Sequence, residues 1–238
     1  MMKRKIYGII VAGGKGVRMG SEVPKQFLEL GGVPILARTL SVFEQACPEM
    51  ETVVVLPEDS FCEWKDLCMK HSLDFRQRLV AGGISRFHSV RNALKTVPDG
   101  AVVMIHDGVR PLITAGKILE MLGMIESGCR AVIPVLPVTD TLKSLTRDGD
   151  GNIIDTGDPS PDRSRIFCAQ TPQIFLSEDI KSAYGLGYDI SFTDDASVAA
   201  RKKIPLTYVE GERLNVKITT KDDLKLAEAI LSYGSSSF

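Results

Sequence analysis

Short, almost wholly apolar runs recur along the chain, separated by longer segments in which apolar residues are spaced three or four positions apart. Continuous runs rich in Val and Ile are typical of strands that are buried on both faces of a sheet. We predict such strands at residues 6–11, 52–56, 78–81, 101–105 and 130–135. The intervening segments have the periodicity of amphipathic helices.

Four helices are predicted between these strands. The first begins at Pro34, which suits the first helical position, and carries Leu36, Leu40 and Phe43 on one face. The others are residues 58–71, a helix capped by Ser85, and residues 114–127. This alternation predicts an α/β, Rossmann-like fold: a mostly parallel twisted sheet with helices on both faces.

The alternation stops at residues 137–166, where the chain becomes polar. Two β-prone pieces, residues 140–145 and 153–156, flank the turn-forming sequence Asp148-Gly149-Asp150-Gly151. We therefore predict a β-hairpin arm that projects from a single domain spanning residues 1–238.

The α/β pattern resumes after the arm. A helix is predicted to begin at Thr193-Asp194-Asp195, where an acidic first turn suits the helix dipole. Strands are predicted at residues 206–209 and 216–219, followed by a C-terminal helix that opens at Thr220.

The composition excludes some classes of function. Of the 238 residues, 44% are hydrophobic and 25% are charged, which is ordinary for a soluble globular protein. The formal net charge is −1, so no general basic field favours nucleic acid, and any anion site must be built from local cations. No apolar run approaches the roughly 18 residues of a membrane span. The five scattered cysteines fit reduced thiols, and we expect a cytoplasmic protein without a membrane partner.

The most informative stretch is residues 11–26, directly after the first predicted strand. Four glycines, at positions 13, 14, 16 and 20, are interleaved with Lys15, Arg18 and Lys25. Glycine has no Cβ, so backbone N–H groups approach a ligand closely, and such a concavity binds anions, of which phosphate is the obvious one. The spacing matches neither the dinucleotide fingerprint nor the P-loop. It reads Gly-Gly-x-Gly-x-Arg-Met-Gly, followed by Pro-Lys-Gln.

Four further polar clusters, like the glycine loop, fall where open α/β sheets bind ligands, beyond the ends of strands. They are residues 81–89, 106–111, 137–143 and 215–219, and residues 170–173 add another polar stretch. Taken singly, Asp107 is equally compatible with a turn cap and Arg110 with a solvated loop charge. Lys217, taken alone, is more typical of a strand position that faces water. His106 is more typical of a satisfied core histidine than of a catalyst. The convergence of the clusters on one sheet edge favours a binding site.

Together these motifs resemble the family of 2-C-methyl-D-erythritol 4-phosphate cytidylyltransferases over nearly the whole chain. The glycine loop and Pro-Lys-Gln are shared by nucleotidyltransferases in general. The sequences His-Asp-x-x-Arg-Pro, Pro-Val-x-Asp-Thr-Leu-Lys, Gln-Thr-Pro-Gln and Asn-x-Lys-Ile-Thr are more specific. The resemblance implies an enzyme of non-mevalonate isoprenoid biosynthesis that joins CTP to the polyol phosphate, with Mg²⁺, and releases pyrophosphate. Two alternatives stay open: ribitol 5-phosphate or another polyol phosphate as acceptor, and a non-enzymatic nucleotide-binding module.

The resemblance also implies roles for individual residues. Arg18 and Lys25 would neutralise the reacting α-phosphate. The nucleotide would be held by Ala12, Gly13, Gly14, Lys15, Gly83, Ser89, Gly108 and Lys217. The acceptor or neighbouring phosphates would be held by Asp107, Arg110, Thr141, Arg163, Thr171 and, again, Lys217, with Asp107 also near the Mg²⁺.

Two positions depart from the family pattern. Ile84 stands where an acidic residue is usual, which leaves cytosine preference open unless only the backbone reads the base. Gly108 stands where alanine is common, and glycine still permits close approach.

The arm leads to a prediction about assembly. A hairpin that extends from a compact domain has unpaired strand edges and little core of its own. Pairing with the same arm of a second subunit would cover those edges with two-fold symmetry. We expect a homodimer formed through residues 137–166, with active sites that combine Lys25 of one chain and Arg163 of the other.

Overall fold

A computed structural model describes residues 4–14 and 23–235. The strands are β1 (Ile6–Val11), β2 (Glu29–Leu30), β3 (Val33–Pro34), β4 (Glu51–Leu56), β5 (Gln77–Ala81), β6 (Val102–Asp107), β7 (Ala131–Pro137), β8 (Leu145–Arg147), β9 (Ile153–Asp155), β10 (Phe167–Ala169), β11 (Gln173–Leu176) and β12 (Thr207–Glu210). The α-helices are α1 (Ile35–Ala46), α2 (Phe61–Lys70), α3 (Arg86–Leu94), α4 (Ala115–Glu126), α5 (Ser177–Tyr184), α6 (Asp195–Arg201) and α7 (Lys221–Ser235). No helix in these two ranges is long and apolar enough to cross a membrane.

The main sheet has the strand order β10-β7-β11-β6-β1-β4-β5, with β12 beside β7. Strand β1 runs parallel to β4 and β6, β4 runs parallel to β5, and β12 runs parallel to β7. Strands β10 and β11 run antiparallel to their neighbours. The mostly parallel α/β fold predicted from the apolar runs is therefore confirmed.

Both faces of the sheet are covered, because successive residues of a strand point to opposite faces. Ile10 of β1 belongs to a buried cluster that also contains Leu36 and Phe43 of α1 and Ile118 of α4. Ile9 of the same strand belongs to the other cluster, which includes residues of α3, α5 and α6. Burial on both faces explains why the strand is a continuous apolar run.

The last part of the chain departs from the prediction in three ways. The antiparallel strands β10 and β11 and the helix α5 were not anticipated. Residues 216–219 do not form a strand. They run as irregular chain in which the Ile218 N–H donates to the Val109 carbonyl at 2.9 Å. Ile218 is fully buried beside Leu30 and Ile35, so its apolar character reflects a small separate core and not a sheet position.

In the arm, the first strand begins later than predicted. It spans Leu145–Arg147 and pairs with β9, so that Leu145 faces Asp155 and Arg147 faces Ile153. The Asp148 carboxylate sets this register, since its Oδ1 accepts from the N–H groups of Asp150 at 3.0 Å and Asn152 at 2.8 Å. Residues 140–144 carry no regular structure.

The parallel strands bring three of the predicted clusters, residues 11–26, 81–89 and 106–111, to one edge of the sheet. Val11, at the end of β1, pairs with Asp107, at the end of β6. The ends of β4 and β5, Leu56 and Ala81, are also paired. The chain segments that follow β1, β5 and β6 therefore leave the sheet side by side.

Candidate functional site

A cavity of about 240 Å³ lies at this edge. Eight residues expected at the site line it: Ala12, Gly13, Gly14, Lys25, Gly83, Ser89, Asp107 and Lys217. The other described residues that line it are Val11, Gln26, Ile84, Ser85, Arg86 and Val109. The tertiary structure thus joins the glycine loop, the segment after β5 and the segment after β6 into one site.

The glycine loop enters the cavity directly from β1. The Ala12 N–H donates to the Val55 carbonyl at 2.9 Å, which holds the start of the loop on the sheet. A Cβ added to Gly14 would lie 3.6 Å from Lys25 Cε, so the lysine side chain runs against the loop backbone. The predicted roles of Lys15 and Arg18 lie outside the described residues.

The opposite wall is the turn that leads into α3. Ser85 caps this helix by accepting from the His88 N–H. The Gly83 N–H donates to Ser89 Oγ at 3.0 Å, and Ser89 Oγ donates to the Ser85 carbonyl at 3.0 Å. A Cβ at Gly83 would clash with His88, so this position requires glycine. The turn is held rigidly against the cavity by its own hydrogen bonds.

Ile84 lies in this turn, and 94% of it is exposed. An apolar side chain with so much exposed surface has almost no packing contact to hold it in one place. The backbone on either side of it is nevertheless fixed by Gly83 and Ser85.

Asp107 is the acidic residue among the described residues that line the cavity, and three cations of the same part of the chain lie beside it. Its carboxylate lies 2.8 Å from Lys217 Nζ, 3.4 Å from Arg86 Nε and 3.5 Å from Arg110 Nε. Burial by itself raises the pKa of this carboxyl. The charge of Arg86, followed by those of Lys217 and Arg110, outweighs burial and holds the pKa well below its usual range. Asp107 is therefore ionised at neutral pH.

Arg86 is a site residue that the sequence reasoning missed. Its guanidinium forms a bidentate pair with Asp195, with distances of 2.9 and 2.7 Å, and the Tyr184 hydroxyl donates to the same carboxylate at 2.5 Å. Burial disfavours the charged guanidinium, but the carboxylates of Asp195 and Asp107 outweigh burial and raise the pKa of Arg86. An arginine three positions after the Gly82-Gly83 turn was a visible signal. Its buried partner, 109 residues later, was not.

Thr171 and His106 support Asp107 from behind. The Asp107 N–H donates to Thr171 Oγ1 at 3.0 Å, and Thr171 Oγ1 lies 3.1 Å from His106 Nδ1. His106 Nε2 lies 3.1 Å from the Arg110 carbonyl. Burial lowers the pKa of His106 to about 4. The neutral ring thus accepts from Thr171 and donates to Arg110, and it fixes the turn between Asp107 and Arg110.

Several expected site residues do not line the cavity. Thr171 is 5% exposed, and its hydroxyl is used in the contacts just described. Arg110 Nη1 donates to the Asn215 carbonyl at 2.8 Å. Gly108 sits behind the glycine loop, where an added Cβ would lie 3.0 Å from Ala12 Cβ. The roles assigned to these residues by resemblance stay predictions.

The remaining two expected residues lie on the arm. Thr141 and Arg163 are both exposed. Arg163 Nη1 donates to the Thr139 carbonyl at 2.8 Å, which ties together the two ends of the arm. Neither residue belongs to the lining of the cavity within this chain.

Comparison with known proteins agrees with this geometry. The family model for 2-C-methyl-D-erythritol 4-phosphate cytidylyltransferase matches residues 6–233. The Bacteroides fragilis protein of that name is 44% identical over 224 residues, which are 94% of this chain and 98% of that protein. A crystal structure of 4-diphosphocytidyl-2C-methyl-D-erythritol synthase from Anaerococcus prevotii is 30% identical, with a TM-score of 0.77 and 96% of each chain covered. The Thermus thermophilus cytidylyltransferase is 29% identical, with a TM-score of 0.72 over 96% of this chain and 98% of that chain. The chain therefore belongs to the family of 2-C-methyl-D-erythritol 4-phosphate cytidylyltransferases.

Proposed function

We propose that this nucleotidyltransferase joins CTP to 2-C-methyl-D-erythritol 4-phosphate in non-mevalonate isoprenoid biosynthesis, giving the CDP-linked polyol and pyrophosphate. The family membership supports the reaction class. The observation that carries the assignment to this site is the cavity, which combines a glycine loop, a fixed turn and the cations Lys25, Arg86 and Lys217 at one sheet edge.

In the proposed reaction, a phosphate oxygen of the acceptor attacks the α-phosphorus of CTP. The new P–O bond forms as the bond between the α-phosphorus and the bridging oxygen breaks, and pyrophosphate leaves with that electron pair. The nucleophile is already anionic, so the step requires no general base. The difficulty is the approach of two polyanions, and catalysis rests on positioning and on electrostatic stabilisation.

Lys25 and Lys217 are placed to meet this charge. Lys25 lies beside the glycine loop, and Lys217 lies beside Asp107 in the same cavity. We assign Lys25 to the α-phosphate, together with Arg18, and Lys217 to the acceptor side. Asp107 holds Lys217 in place through the 2.8 Å contact.

The turn of residues 83–85 would read the nucleobase. Gly83, Ile84 and Ser85 all line the cavity, but Ile84 is 94% exposed and its apolar side chain offers no hydrogen-bonding group to a base. Cytosine recognition through the backbone needs no acidic side chain at position 84. We therefore propose that CTP is preferred over UTP, ATP and GTP despite Ile84.

Asp107 fits a Mg²⁺ that arrives with the nucleotide. Mg²⁺ usually keeps several waters and binds through one or two carboxylates plus substrate phosphates. Asp107 supplies an ionised carboxylate on the cavity wall, and no cluster of three or more candidate ligands occurs in residues 4–14 and 23–235. When bound, the ion would neutralise phosphate charge.

The arm supports a homodimer with shared sites. Every residue of β8 and β9 is exposed, and Leu145, Ile153 and Ile154 are exposed by 50%, 63% and 44%. Large apolar side chains on a short exposed hairpin favour coverage by another surface. A second copy of the arm, related by two-fold symmetry, would provide it. The arm would then carry Thr141 and Arg163 to the cavity of the partner.

A cytoplasmic location of the protein stays a prediction.

Pyrophosphate release tests the proposal. The purified protein is supplied with Mg²⁺, CTP and either 2-C-methyl-D-erythritol 4-phosphate or ribitol 5-phosphate, and then with the other nucleotides in turn. We expect release with the methylerythritol acceptor and CTP. Faster pyrophosphate release with ribitol 5-phosphate would indicate that ribitol 5-phosphate is the acceptor. Nucleotide binding without release from either acceptor would favour a non-enzymatic module.

A further inference from the structure

Gln26 is buried in the wall of the cavity at a fixed point of the backbone. It lies in the 3₁₀ turn Lys25–Phe27, next to Lys25, and is 1% exposed. The turn is held by the Phe27 N–H, which donates to the Pro24 carbonyl at 2.8 Å. Phe27 is itself stacked on Trp64, with ring centroids 5.8 Å apart. The Gln26 side chain is thus carried on a well-anchored segment.

The carboxamide of Gln26 has no hydrogen-bond partner among the described residues. Both Nε2 and Oε1 are buried and unpaired. Buried polar groups in folded proteins are nearly always hydrogen-bonded, because an unpaired one has lost its water without replacement. An orphaned carboxamide in the wall of a binding cavity therefore calls for a functional explanation.

Two other buried glutamines show what a structural role looks like in this fold. Gln170 donates to the Glu212 carbonyl at 2.9 Å and accepts from the Glu212 N–H at 3.1 Å. Gln173 donates to Asp194 Oδ2 at 2.8 Å and accepts from the Ala196 N–H at 2.7 Å. Both carboxamides are satisfied at each end. Gln26, which lines the cavity, is satisfied at neither.

The chemistry of the amide indicates the class of group that it would bind. A carboxamide offers donors at Nε2 and an acceptor at Oε1. A phosphate oxygen only accepts, so it would leave Oε1 unpaired. A hydroxyl both donates and accepts, and adjacent hydroxyls pair with both ends of the amide. Lys25 and Lys217 already supply positive charge for phosphates, so the neutral Gln26 adds a different kind of recognition.

We propose that Gln26 binds a hydroxyl-bearing part of the substrates, either the polyol of the acceptor or the ribose of CTP. This inference rests on the proposed transfer reaction. Binding of the hydroxyls would pair the orphaned amide and hold the reacting groups in register beside Lys25. Gln26 would then position the substrate through its hydroxyls, while the cations Lys25 and Lys217 bind its phosphates.

The test is Gln26→Met, which keeps the length and volume of the side chain and removes its polar atoms. Gln173→Met is the matched control, since Gln173 is also 1% exposed but fully hydrogen-bonded. We expect Gln26→Met to unfold at the same or a higher temperature than the wild type, because no hydrogen bond is lost. Gln173→Met is expected to unfold at a lower temperature.

The effect of Gln26→Met on substrate binding should be unfavourable, although its effect on stability is not. We expect Gln26→Met to weaken binding of one substrate about tenfold or more, as a higher KM or as a higher Kd in titration calorimetry. A change confined to 2-C-methyl-D-erythritol 4-phosphate assigns the polyol. A change confined to CTP, absent with 2′,3′-dideoxy-CTP, assigns the ribose.

Unchanged KM and Kd for both substrates would overturn the proposal. A loss of thermal stability equal to that of Gln173→Met would overturn it as well. If the wild type released no pyrophosphate, the proposed reaction would fail. CTP titration and the unfolding temperatures would still decide the role of Gln26.

Discussion

The cavity edge of the sheet and the arm are built in opposite ways. At the cavity, Asp107 is 7% exposed, and its carboxylate is surrounded by Arg86, Arg110 and Lys217. Behind it, His106 and Thr171 complete a buried hydrogen-bonded network. In the arm, by contrast, the residues of β8 and β9 are all exposed, and a single carboxylate, that of Asp148, holds the turn.

This difference divides the expected site into two halves. Nucleotide-binding groups need fixed positions and charges, and a sheet edge with a core behind it supplies both. Thr141 and Arg163, which are proposed to bind the acceptor, lie on an element whose strands are fully exposed. On the proposed assembly, the groups assigned to the nucleotide come from one chain, while the arm requires a second surface. The following predictions test that division, beginning with the largest expected effect.

Lys25→Ala is expected to lower kcat by about 10²–10³-fold, equivalent to about 3–4 kcal/mol of transition-state stabilisation. CTP binding should change far less, because the lysine acts on charge that develops during the reaction. Arg18→Ala is expected to behave in the same way. Steady-state kinetics and CTP titration measure the two effects, with the exposed Lys95→Ala as a control for loss of a positive charge. Equal losses in binding and rate would contradict the assignment.

A mixing experiment tests whether the arm serves the partner's cavity. Lys25→Ala and Arg163→Ala, each of which is expected to be nearly inactive alone, are co-expressed with different tags, and the mixed dimer is isolated. With shared sites, one site carries both defects and the other carries neither, so about half of the wild-type activity should return. If each site belongs to one chain, every site keeps one defect. A verified mixed dimer without recovery would therefore refute the sharing.

The network behind Asp107 is expected to make stability depend on pH. Folding lowers the pKa of His106 from 6.5 to about 4, because burial disfavours the imidazolium. The unfolded chain thus takes up a proton that the folded chain excludes. The contribution of His106 to the free energy of unfolding is fully present above pH 6.5. It decreases by about 3 kcal/mol as the pH falls to about 4 and below.

Urea denaturation of the wild type and of His106→Leu across this pH range isolates that contribution. The other two histidines remain in both proteins. The variant is expected to be less stable at neutral pH, since Thr171 and Arg110 each lose a partner, but to lose less stability on acidification. Identical pH dependence in the two proteins would exclude His106 as the source.

The smallest effect is expected in the arm. Asp148→Ala removes the hydrogen bonds that set the hairpin register, yet it should change the free energy of unfolding of the core by less than about 0.5 kcal/mol. The single tryptophan, Trp64, is fully buried and reports core unfolding by fluorescence. Asp148→Asn keeps the Oδ1 acceptor and is the matched control. A loss larger than about 1 kcal/mol would show that the arm supports the core.

The strands of the parallel sheet were predictable because their signal is local. These strands are apolar on both faces, as the buried neighbours Ile9 and Ile10 show, and helices separate successive strands along the sequence. The same rule failed at residues 216–219, where Ile218 is buried in a small core outside the sheet. It also missed β11, a four-residue strand inserted antiparallel between β6 and β7. Short elements are placed by their neighbours and carry little periodicity of their own.

The sequence by itself determined the α/β class, the family, and eight of the residues that line the cavity, because glycine loops and strand ends are encoded within short stretches. Only the tertiary structure decided how those residues are charged and paired. Asp107 meets Arg86 and Lys217 across the sheet edge, and Arg86 meets Asp195, 109 residues away, in the interior. Gln26 is a lining residue whose unpaired amide no pattern of spacing could reveal. Burial and pairing depend on which distant segments the fold brings together, so they appear only when the chain is folded.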